Sequence, residues 1–225
     1  MASRADCLRA SVLVLVAAIV ALVPANCHAR EGFYLGYGFI GQTAKGDLNG
    51  TTNFTDKANN QYLVGSLNSG VGSMFQLGYG FGDYFALELL GAASQHTASY
   101  TGKNDTDATL SWGGLGVRLA APLGKSFEFF LRLAETSVAV DYRNYVLLAP
   151  GLTSTTDVSY TGYGSLYGGG FEIMGDHFGI EFSYLVHAAT LNQAKASGVS
   201  GTFDLPHHLQ VPVTTSAIAF KYHFK

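Results

Sequence analysis

The chain has 225 residues, a formal net charge of −3 and 13% charged residues, while glycine (28 residues) and aromatics (13%) run high; an average soluble domain carries about 25% charged residues. This length suits one domain, and the charge balance offers no basic footprint for nucleic acid. No run after residue 29 is long and apolar enough for a spanning helix, which excludes a helical membrane protein.

Residues 1–29 read as an export signal. Arg4 and Arg9 form a positive start, Ala10 to Val23 is small and aliphatic throughout, and Pro24 ends the run. Cleavage is expected after Ala29, with Cys27-His28-Ala29 supplying small residues at −3 and −1; Val23-Pro24-Ala25 offers a second site. Cleavage after Ala29 removes both cysteines, Cys7 and Cys27, and leaves a net charge of −4, because Arg4 and Arg9 outweigh Asp6 in the lost segment.

From residue 31 onward the pattern has period two, the signature of strands. The first strand places Phe33, Leu35, Tyr37 and Phe39 on one face and Gly36 and Gly38 on the other. Its Gly36-Tyr-Gly38-Phe-Ile-Gly41 matches a dinucleotide fingerprint, but a polar loop follows where that motif needs a helix, so glycines on the inner face of a narrow barrel are the better account. Residues 43–70 read as a long polar loop. Val71–Phe81 and Tyr84–Ala93 form the next two strands around a Gly82-Asp83 turn, and a second polar loop covers 94–107. The fourth strand, Ala108–Ala120, changes parity at Gly113-Gly114. A bulge there is predicted, turning Leu110 and Trp112 to the same outer face as Leu115, Val117 and Leu119. After the Pro122–Lys125 turn the fifth strand sets Phe127, Phe129, Leu131 and Leu133 against Glu128, Phe130, Arg132 and Ala134. A third loop is expected over about 142–158. Gly162–His187 is a hairpin about Gly175-Asp176-His177, a fourth loop spans 188–212, and the last strand sets Ile218, Phe220, Tyr222 and Phe224 against Ala217, Ala219, Lys221 and His223.

In every hairpin one face is aromatic or aliphatic and the other is glycine, serine or charged, too small to be covered as a soluble core. The apolar face therefore points to lipid, and the eight strands close into an all-β, antiparallel, up-and-down barrel with short turns at one end and long loops at the other. Phe33, Tyr79, Phe81, Phe85, Phe127, Phe129, Phe178, Tyr222 and Phe224 cluster at the short-turn end as an interfacial girdle. The opposite parity sends Glu88, Arg118, Glu128, Arg132, Glu172, Glu181 and Lys221 into the lumen. Counted from the turns, Glu88 matches Arg118 in height, Glu181 matches Lys221, and Arg132 lies within reach of Glu128 and Glu172. Carboxylates and cations should alternate around the wall and pair, closing a lumen that eight strands make only wide enough for side chains or one small ligand.

The GFYLGYGF opening, the FQLGYGFGDYFALELLGA and FEIMGDHFGIEFSYLVH hairpins and the C-terminal FKYHF resemble eight-stranded outer-membrane barrels of the OmpA transmembrane-domain, OmpX and opacity-protein type. The resemblance implies an outer-membrane location, contact with lipid and lipopolysaccharide, and recognition of the last strand by the barrel-assembly machinery, although Lys225 follows the usual terminal aromatic. It also implies a structural or adhesion-like role for the loops, with a narrow channel for small or hydrophobic solutes as the alternative. A lipid A-modifying enzyme ranks behind both: His96, His187, His207 and His208 lie near the outer rim, but none stands in a His-x-Ser arrangement. His207 and His208 with Asp204 suggest a metal, yet neighbours on an extended chain point apart. No catalytic residue, cofactor or metal is assigned.

Overall fold

The computed structural model describes residues 31–55, 61–101, 105–149, 152–197 and 202–224; the expected signal peptide and Lys225 lie outside them. Eleven strands form one antiparallel sheet: β1 (Gly32–Ala44), β2 (Thr52–Thr55), β3 (Gln61–Val64), β4 (Ser66–Leu67), β5 (Gly70–Gly80), β6 (Phe85–Ser99), β7 (Thr106–Pro122), β8 (Phe127–Ala149), β9 (Leu152–Met174), β10 (Phe178–Ala196) and β11 (Phe203–His223). Eight of them, β1 and β5 to β11, pair each with the next, and β1 closes on β11 from Tyr34↔His223 to Ala44↔Val213. The fold is thus a closed eight-stranded up-and-down β-barrel. Closure leaves no edge whose N–H and C=O groups would lack partners.

The three short turns and both ends of the described barrel lie together. Phe81 N donates to Phe85 O at 2.8 Å, Leu123 N to Phe127 O at 2.7 Å, Gly175 N to Phe178 O at 2.7 Å and Phe224 N to Phe33 O at 2.8 Å. Gly82 (φ 82°) and Gly124 (φ 81°) adopt the left-handed backbone that two of these turns require. Toward this end the barrel exterior is apolar, with Phe33, Phe39, Leu87, Phe129, Phe178 and Phe220 all exposed, while the interior holds the charged side chains. Exposed apolar area on this scale belongs in lipid, not water.

Toward the other end the two faces exchange character. Leu110, Trp112, Val140, Tyr142, Tyr160, Leu191, Leu209 and Val211 are buried inside, whereas Gln95, Thr97, Asp107, Ser137 and Gln210 are exposed outside. The longest strands are β8 and β9, 23 residues each. At about 3.3 Å per residue and roughly 40° of tilt, each rises some 55–60 Å, well beyond an apolar band of about 25 Å.

Three sequence expectations are corrected here. The predicted bulge at Gly113-Gly114 is absent: the β6–β7 register runs unbroken from Phe85↔Leu119 to Ala98↔Thr106, and β7–β8 from Ala108↔Tyr142 to Pro122↔Glu128. Leu110 and Trp112 therefore point inward, because they belong to the collar, where water lies outside. Register shifts fall instead in β10, between Leu191 and Gln193, and in β8, between Tyr142 and Tyr145. The segments expected as loops at 94–107, 142–158 and 188–212 are largely strand; in the first and last the alternation sets modest apolar residues against Ser, Thr, Gln and Asn, and in 142–158 the run from Tyr145 to Ala149 is apolar without a period. The expected loop at 43–70 contains β2, β3 and β4 and fills a breach in the collar wall, where β1 and β5 end before β11 and β6 do. Lys45 N and Asp47 N donate to Pro212 O and Gln210 O on β11 (3.0 Å each), Asn68 N donates to Thr97 O on β6 (3.0 Å), and Leu48, Val64 and Leu67 join the core.

The two placements of Leu110 separate cleanly by experiment. Leu110→Ala should cost about 2–5 kcal/mol as a core truncation and lower the temperature at which the folded band converts to the unfolded one on a detergent gel. Leu115→Ala, the same change on the outward face, should leave that temperature close to wild type.

Candidate functional site

Inward parity near the turn end brings seven charged side chains into one buried layer: Glu88, Arg118, Glu128, Arg132, Glu172, Glu181 and Lys221 are each 5% exposed or less. Arg132 is the hub. Its Nε and Nη2 donate to the two oxygens of Glu88 at 2.6 and 2.8 Å, and Nη1 and Nη2 donate to those of Glu181 at 3.0 and 3.2 Å. Such bidentate geometry is what a planar guanidinium offers and an ammonium does not. Lys221 Nζ bridges Glu181 (2.6 Å) and Glu172 (3.0 Å). Arg118 pairs with Glu172 at 2.8 Å and with Glu128.

These pairings differ from the expected ones. Lys221 does meet Glu181, but Glu88 pairs with Arg132 instead of Arg118, and Arg132 reaches Glu88 and Glu181 instead of Glu128 and Glu172. Nor do charges alternate around the wall. Glu128↔Glu172 and Glu172↔Glu181 are direct cross-strand partners, and so are Arg118↔Arg132. Like charges placed opposite one another repel, and each cation reaches a carboxylate two strands away, Arg132 to Glu88 and Glu181 and both Arg118 and Lys221 to Glu172, while Arg118 and Lys221 also meet Glu128 and Glu181 on the neighbouring strand. Counting residues from the turns gave height but not the slant of the register around a tilted barrel.

Sequence reading missed the other members of this layer. Tyr34 Oη donates to Glu88 Oε1 at 2.6 Å, Gln76 Nε2 to Glu181 Oε1 at 3.0 Å, and His223 Nε2 lies 2.9 Å from Glu172 Oε1. The Phe130 ring lies under Arg118 (4.3 Å) and Arg132 (5.0 Å), and the Tyr34 ring under Lys221 (4.8 Å), a favourable placement for cations. A Cβ at Gly78 would run into the Tyr34 ring, so that glycine clears the space Tyr34 occupies. Inward parity was the available signal for Tyr34, Gln76, Phe130 and His223.

Between the charged layer and the collar core lies a layer of neutral polar groups. Gln42, Ser94, His96 and Thr215 form one chain, with Gln42 Nε2 to Thr215 Oγ1 at 2.8 Å and Ser94 Oγ 2.7 Å from His96 Nε2. His96 Nδ1 faces the Asn68 carbonyl at 2.6 Å and must carry the proton, since a carbonyl only accepts. Ser94 and His96 are thus a Ser-x-His pair on one strand face, the reverse of the arrangement sought in the sequence, and both are buried. In the second chain Thr136 donates to Gly164 O (2.8 Å) and lies 2.5 Å from His187 Nε2, whose ring meets Trp112 edge-on. His207 and His208 are exposed on β11, and among the described residues no three His, Cys, Asp or Glu side chains gather as a metal group.

The girdle candidates Phe33, Tyr79, Phe81, Phe85, Phe129, Phe178, Tyr222 and Phe224 are exposed on the outer face and Phe127 is half-buried. Many touch one another: Phe33–Tyr79 (4.8 Å), Tyr79–Phe81 (4.8 Å), Phe178–Tyr222 (5.1 Å) and Tyr222–Phe224 (4.9 Å between centroids).

No protein-family model matches the chain, and no curated protein does. Solved structures do. The outer membrane protein OprG from Pseudomonas aeruginosa superposes with a TM-score of 0.61 at 18% identity, covering 88% of this chain and 97% of that one. Neisserial surface protein A gives 0.52 at 12% identity (86% and 98%), and the outer membrane protein AlkL, solved in lipid bilayers, 0.51 at 12% (87% and 91%). At such identities the likeness is one of fold, that of the outer-membrane β-barrels.

Removing the hub should be costly. Arg132→Ala leaves Glu88 and Glu181 short of their main partner, and we expect a loss of roughly 3–5 kcal/mol, read as a lower unfolding midpoint in urea. Adding Glu88→Gln and Glu181→Gln to that variant should recover part of the loss; no recovery would mean that charge pairing is not the cause.

Proposed function

We propose that the chain is an exported outer-membrane protein, processed after Ala29, whose lumen is closed and whose working surface is the collar standing above the bilayer. The observation that carries this reading is the exchange of faces along each strand. Toward the turn end, apolar outside and ion-paired inside suits a lipid-embedded barrel. Toward the loop end, polar outside and apolar inside suits a rigid body in water that displays its surface. The role that follows is structural or adhesion-like, with lipid and lipopolysaccharide around the barrel, the assembly machinery engaging β11, and cell-surface ligands meeting the collar. The girdle residues would seat the turn end at the inner interface.

One observation favours a second reading, a narrow path for small or hydrophobic solutes: above the charged layer the lumen is lined by Leu, Val, Ala, Tyr and Trp side chains. Planar-bilayer recording separates the two. The closed barrel should show no stable ion conductance, and stable conductance in the unmodified protein would move the argument to the channel. For the surface role, cells displaying a variant with residues 146–153 replaced by an Asn-Gly turn should lose binding to the surface that wild-type cells hold, while keeping the heat-dependent gel shift of a folded barrel.

A further inference from the structure

Cross-strand registers order the outer face of β7–β10 into rows. Val117, Leu133, Tyr167 and Val186 form the last fully apolar row, and Leu115, Glu135, Ser165 and Ala188 come next, with Ser165 Oγ donating to Glu135 at 2.7 Å. Directly above them the wall is indented by a groove of about 470 Å³. Tyr163, Ser111, Ser137, Thr161, Asn192 and Gln193 supply polar groups to its rim, and Gly113, Gly162, Ala139, Trp112 and Val138 complete the lining. The Leu191–Gln193 irregularity of β10 delivers the two amides to this rim. Bulges re-aim side chains in this way.

We propose that this groove binds the oligosaccharide of a glycolipid in the surrounding outer leaflet. The inference rests on the outer-membrane reading above and names one partner within it. Three features select the ligand. Tyr163 is 55% exposed and presents an aromatic face with a hydroxyl at its tip, suited to the alternating C–H and O–H faces of a sugar ring. Around it stand hydroxyls and amides, which both donate and accept as a sugar's hydroxyls demand. Among the described residues Ser111, Ser137, Thr161 and Asn192 make no side-chain hydrogen bond to protein, while Gln193 Nε2 reaches Asp204 at 3.3 Å. Finally, the groove opens sideways from the flank, one row above the Glu135–Ser165 boundary, at the height where sugars of a lipid-anchored glycan stand. A soluble ligand would meet the collar tip first. The groove's volume lies within the range of small-ligand sites. Higher on the same flank Arg143 and Lys195 stand with Asp141 and Asp157, a balanced set that does not select for anions.

The test uses the full barrel in phosphatidylcholine nanodiscs, titrated calorimetrically with deacylated core oligosaccharide from a rough lipopolysaccharide, with intact lipooligosaccharide, and with phosphatidylglycerol vesicles. Saturable binding of the deacylated sugar is expected, weakened about tenfold or more by Tyr163→Ala and by Asn192→Leu. Phe129→Ala, on the apolar face below, should leave it unchanged. Both groove variants should keep the heat-dependent gel shift, so that loss of binding is not loss of fold. The proposal is overturned if no deacylated sugar binds, if the groove variants bind as wild type does, or if lipooligosaccharide and phosphatidylglycerol bind alike, which would make the contact one with acyl chains. Fractionation keeps the two levels apart: protein recovered with the outer membrane but blind to the sugar defeats this inference alone, whereas recovery elsewhere defeats the reading beneath it.

Discussion

Each strand of this barrel has one parity and two surroundings. Side chains alternate between faces without exception across β6 and β7, yet the residues fit for the outer face change partway up, from Leu87, Leu89 and Leu115 to Gln95, Thr97 and Thr109. The inner face changes in the opposite sense, from Glu88 and Arg118 to Leu110 and Trp112. The hydrophobic effect acts only where water is the alternative. In lipid it gives no reason to bury leucine, so the lower barrel is free to put its polar groups inside. In water it gives every reason, so the collar is built like a soluble barrel.

Polar groups inside the lower barrel must then satisfy one another, since burying an unpaired charge is far costlier than burying a paired one. The register gives this task an awkward start, with Glu128, Glu172 and Glu181 side by side on β8, β9 and β10 and two arginines facing each other on β7 and β8. The resolution is reach. Arginine and lysine stems are long enough to skip a strand, Arg132 reaching Glu88 and Glu181 and both Arg118 and Lys221 reaching Glu172, and so they link wall charges of like sign into one network. Two neighbour pairs along the wall, Arg118–Glu128 and Lys221–Glu181, complete it.

The existence of a barrel, its strand number and the inward set of charges were all legible in the sequence, because lipid imposes an alternation of strong contrast, such as Phe178, Ile180 and Phe182 against Gly179, Glu181 and Ser183. The collar was not. There the inward residues include Ala98, Ala108, Ala194 and Ala196 and the outward ones include Ala93 and Ala139, so the same period survives with little contrast. The spurious bulge had the same origin: Leu110 and Trp112 looked misplaced only because one rule, apolar outward, was applied above the height at which it reverses. Salt-bridge partners were illegible for a different reason, since partner choice depends on the slant of the register and on side-chain length, neither of which is written at one position.

The two halves are stabilised by different forces, and their junction shows how they are joined. A charge there would sit beside an apolar core, and a leucine layer would meet buried carboxylates. What occupies the level is neutral and polar: Gln42, Thr215, Ser94 and His96 in one hydrogen-bonded chain, Thr136 and His187 in another. Neutral groups that can both donate and accept tolerate a charged layer on one side and an apolar one on the other at smaller desolvation cost than ions. The first chain also ends on the Asn68 carbonyl, in the segment that fills the breach in the collar wall. Strand register, lumen hydrogen bonds and the covering segment therefore meet at one histidine, and loosening any of them at that level would be felt by the other two.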